Sequence, residues 1–268
     1  MNAVRIGPRT IAALGIASAF GVVAFAWPFF VSPGSSIGAG SVAPVIFGGL
    51  LLLVLAVVLA QLSEGGLDSK ALALLGVLSA LGAAVRPLGA GTAGVETIFL
   101  LLIVSGRALG PGFGFSLGCT TLFASALITS GVGPWMPYQM FACAWIGLGA
   151  GLLPKATGRR EIALLAAYGA VSAFFYGLVL NLSFWPFTLG AQTRLSFVPG
   201  ASIVENLHRY LVFDVTTSLG WDTGRAITNA VLIALAGRAI LSALQRAARK
   251  ASFETPAVFE PAQHLEPA

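Results

Sequence analysis

Charge is what this 268-residue chain has least of: Asp, Glu, Lys and Arg together make up 9% of it. A water-soluble domain carries roughly 25%. The surface therefore cannot be covered for water, and lipid must replace water over much of it. Histidine is limited to His208 and His264, and cysteine to Cys119 and Cys143, both within apolar runs and without a Cys-x-x-Cys pair. That pattern excludes a disulfide framework and a zinc site of the usual spacing. No Gly-x-x-x-x-Gly-Lys-Ser/Thr sequence occurs, so ATP is not hydrolysed through a P-loop of this chain. No continuous chain of intramembrane carboxylates is present to run proton coupling. Neither a cofactor nor a metal is called for.

What is present is apolar: 57% of residues are hydrophobic, and the mean hydropathy is +0.89. A membrane span needs about 20 mostly apolar residues as a helix, with every backbone polar group paired inside the segment or in a closed barrel. Barrel strands would alternate polar and apolar residues. Here the runs are continuous, as in VIFGGLLLLVLAVVLA at 45–60. The expected fold is an all-α integral membrane protein.

Gly and Pro punctuate the junctions at Pro33-Gly34, Gly65-Gly66, Pro87, Gly110-Pro111, Gly133-Pro134 and Pro154, and such residues interrupt helices. Eight spans follow, near 10–31, 42–62, 70–86, 94–107, 111–130, 136–154, 161–187 and 222–245. The first imitates a secretory signal, with Arg5, Arg9 and Ala24-Phe25-Ala26, but its span-like length favours a retained helix.

Net charge is +5, yet the basic residues sit at the ends of apolar runs, which argues for a membrane protein and against nucleic acid. Eight spans put both termini on one side. That side carries Arg5, Arg9, Lys70, Arg107, Lys155, Arg159, Arg160, Arg246, Arg249 and Lys250; the other carries Arg86, Arg194, Arg209 and Arg225. The positive-inside rule makes the first side cytoplasmic, so the expected localisation is the cell membrane with both termini inside. Residues 188–221 then form one long outer loop, in which Ile203, Leu207, Tyr210, Leu211 and Val215 recur at helical spacing, as in an interfacial helix. The polar tail 251–268 is expected to be disordered.

Gly106, Gly110, Gly114 and Gly118 recur every fourth residue, and Gly147 and Gly151 repeat the spacing. Small residues so placed let helix backbones approach closely in lipid. Gly114-Phe115-Ser116-Leu117-Gly118 also matches Gly-x-Ser-x-Gly, a nucleophile pattern that works only on a strand–turn–helix corner with His and an acid nearby. An intramembrane serine hydrolase using Ser116 is the weaker alternative.

Polar and aromatic residues gather at the ends assigned to the outside. Trp135 stands between Pro134 and Pro137, which fix a helix entry, and Tyr138 and Gln139 follow. A lone Trp there is an ordinary interfacial residue, but an amide just inside a helix needs a partner. Arg86 and Glu96 flank one outer turn, as a salt bridge or as ligand contacts. Asn181 and Trp185 are spaced i,i+4, as are Arg225 and Asn229 beyond Trp221, with Asp222 or Thr223 placed to cap the last helix. A pocket for a polar ring would use such groups.

From Lys70 to Ala248 the chain resembles the S component of an energy-coupling-factor (ECF) vitamin importer. The likeness rests on Ala71-Leu72-Ala73-Leu74-Leu75-Gly76 running to Arg86-Pro87-Leu88, on Gly110-Pro111-Gly112-Phe113-Gly114 with Gly118, and on Gly133-Pro134-Trp135-Met136-Pro137-Tyr138-Gln139-Met140 through Gly151. The resemblance implies a six-helix bundle over 67–250 that binds a vitamin outside, without chemistry on it. It also implies docking on a transmembrane scaffold (T) subunit with two ABC ATPase subunits and toppling to deliver the cargo. A cobalamin-type cargo is among those it allows. Ala80 and Ala84 match the Ala-x-x-x-Ala used against the scaffold, in preference to Ala13 and Ala17. The expected substrate-binding residues are Arg86, Glu96, Trp135, Tyr138, Gln139, Asn181, Trp185, Trp221 and Arg225, with the outer loop as a lid. Residues 1–66 form two additional spans.

Overall fold

Lipid leaves an apolar chain no unpaired backbone to expose, and each uninterrupted run becomes a helix. The computed structural model describes residues 6–32, 43–64, 67–89, 92–188 and 193–252. The tail 253–268 and the junctions at Pro33-Gly34 and Gly65-Gly66 lie outside them. The helices are α1 Pro8–Ala26, α2 Ala43–Ser63, α3 Ser69–Gly89, α4 Ile98–Leu109, α5 Pro111–Ile128, α6 Met136–Leu152, α7 Gly158–Thr188, α8 Ile203–Leu232 and α9 Arg238–Ser252. No strand occurs among the described residues. Among the described residues, six stretches are long and apolar enough to cross a membrane, the last being Ile203–Arg249. The chain is an all-α polytopic membrane protein.

The eight expected apolar segments are all helical, but the last is far longer than expected. It starts at Ile203, not near 222, and runs through a π-helical segment Ile233–Gly237 into α9. At 1.5 Å per residue, 203–252 spans roughly 75 Å, more than twice a hydrocarbon core of about 30 Å. The start signal is Ser202, whose Oγ accepts the Glu205 N–H at 3.2 Å, with the Ser-x-x-Glu spacing of a capping box. The helix continues through Gly220, which faces open space, and through Gly224, which is packed under Ala93 O. Residues 203–221 are thus the first turns of this rod, not a free outer loop or a separate interfacial helix.

The centre is a glycine seam. A Cβ on Gly147 would lie 2.2 Å from Gly114 O, and one on Gly106 would lie 2.1 Å from Gly147 O. Such distances bring the α4, α5 and α6 backbones together, as small residues allow in membranes. The α4–α5 connection is Gly110 alone, at φ +110, a conformation that side chains disfavour. Its N–H bonds to Gly106 O at 2.9 Å, and Pro111 opens α5. At the same, basic end, Arg107 Nε bonds Glu161 at 2.9 Å and Nη1 donates to Leu153 O at 2.9 Å, tying α4, the end of α6 and the start of α7.

The N-terminal pair packs directly on this centre. Gln61 of α2 donates to Gly112 O at 3.1 Å and to Ser116 Oγ at 3.0 Å on α5. Trp145 of α6 donates to Ser18 of α1 at 3.2 Å. Gly21 leaves room for the Phe141 and Trp145 rings.

Glu64, just past α2, supplies the cap that α1 lacks. Its carboxylate accepts the Arg9 and Thr10 N–H groups at 2.7 and 2.9 Å and the Thr10 hydroxyl at 2.6 Å. These are orphan donors of a first helical turn. Partial burial resists ionisation, but the hydrogen bonds from Thr10 and Arg9 and the Arg9 charge outweigh it, so the carboxyl titrates below its usual 4.5. A depressed carboxylate stabilises fully above its unfolded value, and the effect fades as pH falls through the folded one. We expect the wild-type thermal midpoint in detergent to drop below pH 4.5 and the Glu64→Gln variant to lack that component. Parallel pH curves would refute the assignment.

Candidate functional site

Five of the nine expected binding residues line one cavity. Trp135 caps the start of α6, its ring lying where a side chain on Gly133 would stand. Gln139 is one turn further on. Asn181 comes from α7, and Trp221 and Arg225 come from α8. Together they surround a space of about 560 Å³, within the range of pockets for small organic ligands.

The α7–α8 wall is polar and tightly connected. Arg225 Nη1 donates to Asp222 and, at 3.5 Å, to Ala173 O. Its guanidinium carbon lies 5.0 Å from the centre of the Tyr176 ring, within cation–π range. Asn181 Nδ2 bridges Asp214 Oδ1, at 2.6 Å, and Ser218 Oγ. Asp222 is mid-helix and buried, so it is an ion-pair partner and not a cap; Thr223 bonds back to Leu219 O at 2.7 Å. Asp214, Ser218, Asp222, Arg225 and Asn229 form one stripe along α8, each three or four residues from the last.

Arg86 and Glu96 stand behind this lining. Arg86 Nη2 donates to Gln139 Oε1 at 3.4 Å and Nη1 to Ser125 at 3.3 Å. Glu96 lies on the turn between α3 and α4, within electrostatic reach of Arg86 and Arg225. The turn bearing Glu96 is seated by two glycines: Gly94 at φ +78 faces Trp221 O, and a Cβ on Gly224 would lie 2.1 Å from Ala93 O.

Two expected residues do not reach the cavity. Tyr138 is buried with its ring 5.0 Å from Phe25 of α1, edge-on, because one residue along a helix turns a side chain by about 100°. Trp185 is fully buried and donates to Leu195 O at 2.7 Å. Its indole packs on Phe197 and Tyr210 and holds the described part of the α7–α8 connection. Asn206 fastens that connection again, with hydrogen bonds of 3.1 and 2.9 Å to Val198. The expected lid is a clamped loop over 193–202.

Tyr176 and Gly177 escaped the sequence reading. Both line the cavity, and a Cβ on Gly177 would lie 2.1 Å from the Asp222 carboxylate. Asn229, on the same stripe as Arg225, has no hydrogen-bond partner for either polar atom among the described residues, nor does Arg225 Nε. Spacing in sequence placed Asn229 on the shared face; nothing in it marked Tyr176 or Gly177, which sit in an apolar run.

Ser116 is fully buried in the middle of α5, bonded to Gln61, whereas His208 is exposed on α8. Ala80 and Ala84 are exposed on α3, whereas Ala17 of the competing pair is buried. No three His, Cys, Asp or Glu among the described residues are grouped to hold a metal ion. Comparison with family models, with curated proteins and with solved structures returns no match.

Proposed function

We propose that this protein is a substrate-capturing membrane subunit of an ECF-type ABC importer. It takes up a vitamin or related micronutrient outside the cell and delivers it inward on ATP hydrolysed by partner subunits. The observation that carries the reading is the cavity of about 560 Å³ walled by Trp135, Gln139, Asn181, Trp221 and Arg225. Its aromatic faces suit a planar ring, and its amides and charges fix the ring's orientation. Its size fits a one- or two-ring cargo better than a cobalamin-type one.

In this reading both termini are cytoplasmic, the cavity opens outward and no chemistry is done on the cargo. The charge bias along the sequence supports that orientation. Ala80 and Ala84 offer a small-residue face to a T subunit, where close helix contact is favourable; two ABC ATPases complete the assembly.

The reading is tested by mass spectrometry of small molecules retained by the detergent-purified chain. The wild type is expected to carry a ring-containing metabolite at near-stoichiometric level, and a Trp135→Ala/Trp221→Ala variant to lose most of it while remaining monodisperse. Retention unchanged by the double substitution would rule out this cavity as the cargo site.

A further inference from the structure

The receptor reading leaves open what the cargo must offer to the walls of the cavity. Among the described residues, the charged lining consists of Asp222 and Arg225. They are bonded to each other, with side chains 5% and 16% exposed, so the lining is neutral in sum. A net charge on the cargo would lose much of its water there without gaining a free counter-charge, which is costly. Recognition falls to the neutral polar groups.

The two amides of the lining have fixed orientations, because each has a partner that acts in one sense only. A guanidinium can only donate. Arg86 Nη2, from outside the lining, donates to Gln139 at 3.4 Å, so the atom turned to it is Oε1 and the Nε2 amine is turned away. An ionised carboxylate can only accept. Asp214, which lines a separate groove on α7–α8, accepts from Asn181 at 2.6 Å, so the atom turned to it is Nδ2. That nitrogen also reaches Ser218 Oγ, which engages both of its hydrogens and leaves Oδ1 over.

Gln139 Nε2 and Asn181 Oδ1 have no hydrogen-bond partner among the described residues, and unlike the polar atoms of Asn229 they are not sealed off. One space therefore holds a free donor from α6 and a free acceptor from α7. Beside them stand two indoles, Trp135 and Trp221, 52% and 49% exposed, as flat apolar surfaces for a ring. A ligand lacking either hydrogen-bonding group would leave a desolvated amide atom unpaired, and that penalty is what discriminates between ligands.

We propose that the cargo is an uncharged planar heterocycle with a hydrogen-bond acceptor on one edge, taken by Gln139 Nε2, and an N–H on another, taken by Asn181 Oδ1. Its faces lie against Trp135 and Trp221. The proposal rests on the receptor reading of this cavity and specifies it.

The experiment is a calorimetric titration of the full chain in lipid nanodiscs, with protein-free nanodiscs to subtract partition into lipid. Four probes of similar shape are compared. 4-Quinolone carries its N–H and carbonyl on opposite edges of a neutral ring. N-methyl-4-quinolone lacks the donor, and N-methylquinolinium and quinoline-4-carboxylate carry charge of either sign. 4-Quinolone is expected to bind at least roughly tenfold more tightly than each of the others, a difference of about 1.4 kcal/mol. Gln139→Glu keeps the shape and the contact to Arg86 but replaces the amine by an acceptor, and it should weaken 4-quinolone by a similar factor. Equal or tighter binding of either charged probe would overturn the proposal and leave the receptor reading standing. So would N-methyl-4-quinolone bound as tightly as its parent, or an unchanged affinity in Gln139→Glu. If that variant does not fold, the four wild-type titrations decide. Binding of none of the four overturns this cargo class, and the metabolite retained by the purified chain then decides separately whether the receptor reading survives.

Discussion

Replacing Gly147 by valine is expected to prevent α5 and α6 from closing, so that the variant is not recovered as monodisperse protein from detergent. The Cβ of residue 147 would stand 2.2 Å from Gly114 O, and residue 147's own carbonyl is where a Cβ on Gly106 would fall. The obstacles are backbone atoms of neighbouring helices, not the ends of flexible side chains. Overpacking in a core usually costs ~1–3 kcal/mol, because neighbours shift to make room. Here whole helices would have to separate, and the loss should exceed that range. Gly147→Ala already adds the offending atom and should lower the thermal midpoint measurably. Gly76, which faces open space on α3, serves as the control, and its substitution by alanine should be neutral. Size-exclusion profiles of the three variants decide the matter; a well-behaved Gly147→Val protein would mean that the seam is not as close as described.

The second large effect is expected at Asp222. Substitution by alanine removes the acceptor of Arg225 and leaves a guanidinium whose side chain is 16% exposed without its counter-charge. Breaking one half of a buried pair costs about 3–5 kcal/mol, more than the pair itself contributes to stability. A drop in thermal midpoint on the order of 10 °C should follow. The cause can be isolated by changing both partners. Asp222→Leu together with Arg225→Met removes both charges, and such apolar replacements are often neutral or stabilising. The double variant is therefore expected to regain most of the lost midpoint and yet to lose cargo retention, since two cavity groups have gone. If it stays as unstable as Asp222→Ala, the loss comes from packing against Gly177 and not from charge.

Much of the fold could be read from residue pattern because lipid narrows the choices. Continuous apolar runs can only be helices there, and Gly110-Pro111 and Gly133-Pro134 mark real ends. The error lay at α8. The expected start near 222 followed Asp222 and Thr223, residues of the type that cap helices. Gly224 is there because Ala93 O comes too close for any side chain, a tertiary reason that no local pattern displays. The true start, Ser202 with Glu205, was legible and overlooked.

The cavity divides in the same way. Residues one turn apart on a helix share a face, and that rule found Trp221, Arg225 and Asn181. It also proposed Trp185, which the clamped loop turns into a structural anchor through Leu195 O. Tyr138 and Gln139 are neighbours in sequence and face different partners. What a pattern cannot supply is which α7 face meets α8, so Tyr176 and Gly177 stayed hidden among apolar neighbours.

The unbroken rod from Ile203 to Ser252 has a mechanical corollary. The upper arm carries Trp221 and Arg225, and the lower arm ends in α9, whose Leu241, Leu244 and Ala248 are buried while Arg246 and Arg249 stay outside. A stiff shaft pivoting about its middle by about 10° sweeps each tip through roughly 6 Å. With the wider π coil at Ile233–Gly237 as the one change of winding between the arms, a displacement of α9 is carried to the arm that holds Trp221 and Arg225.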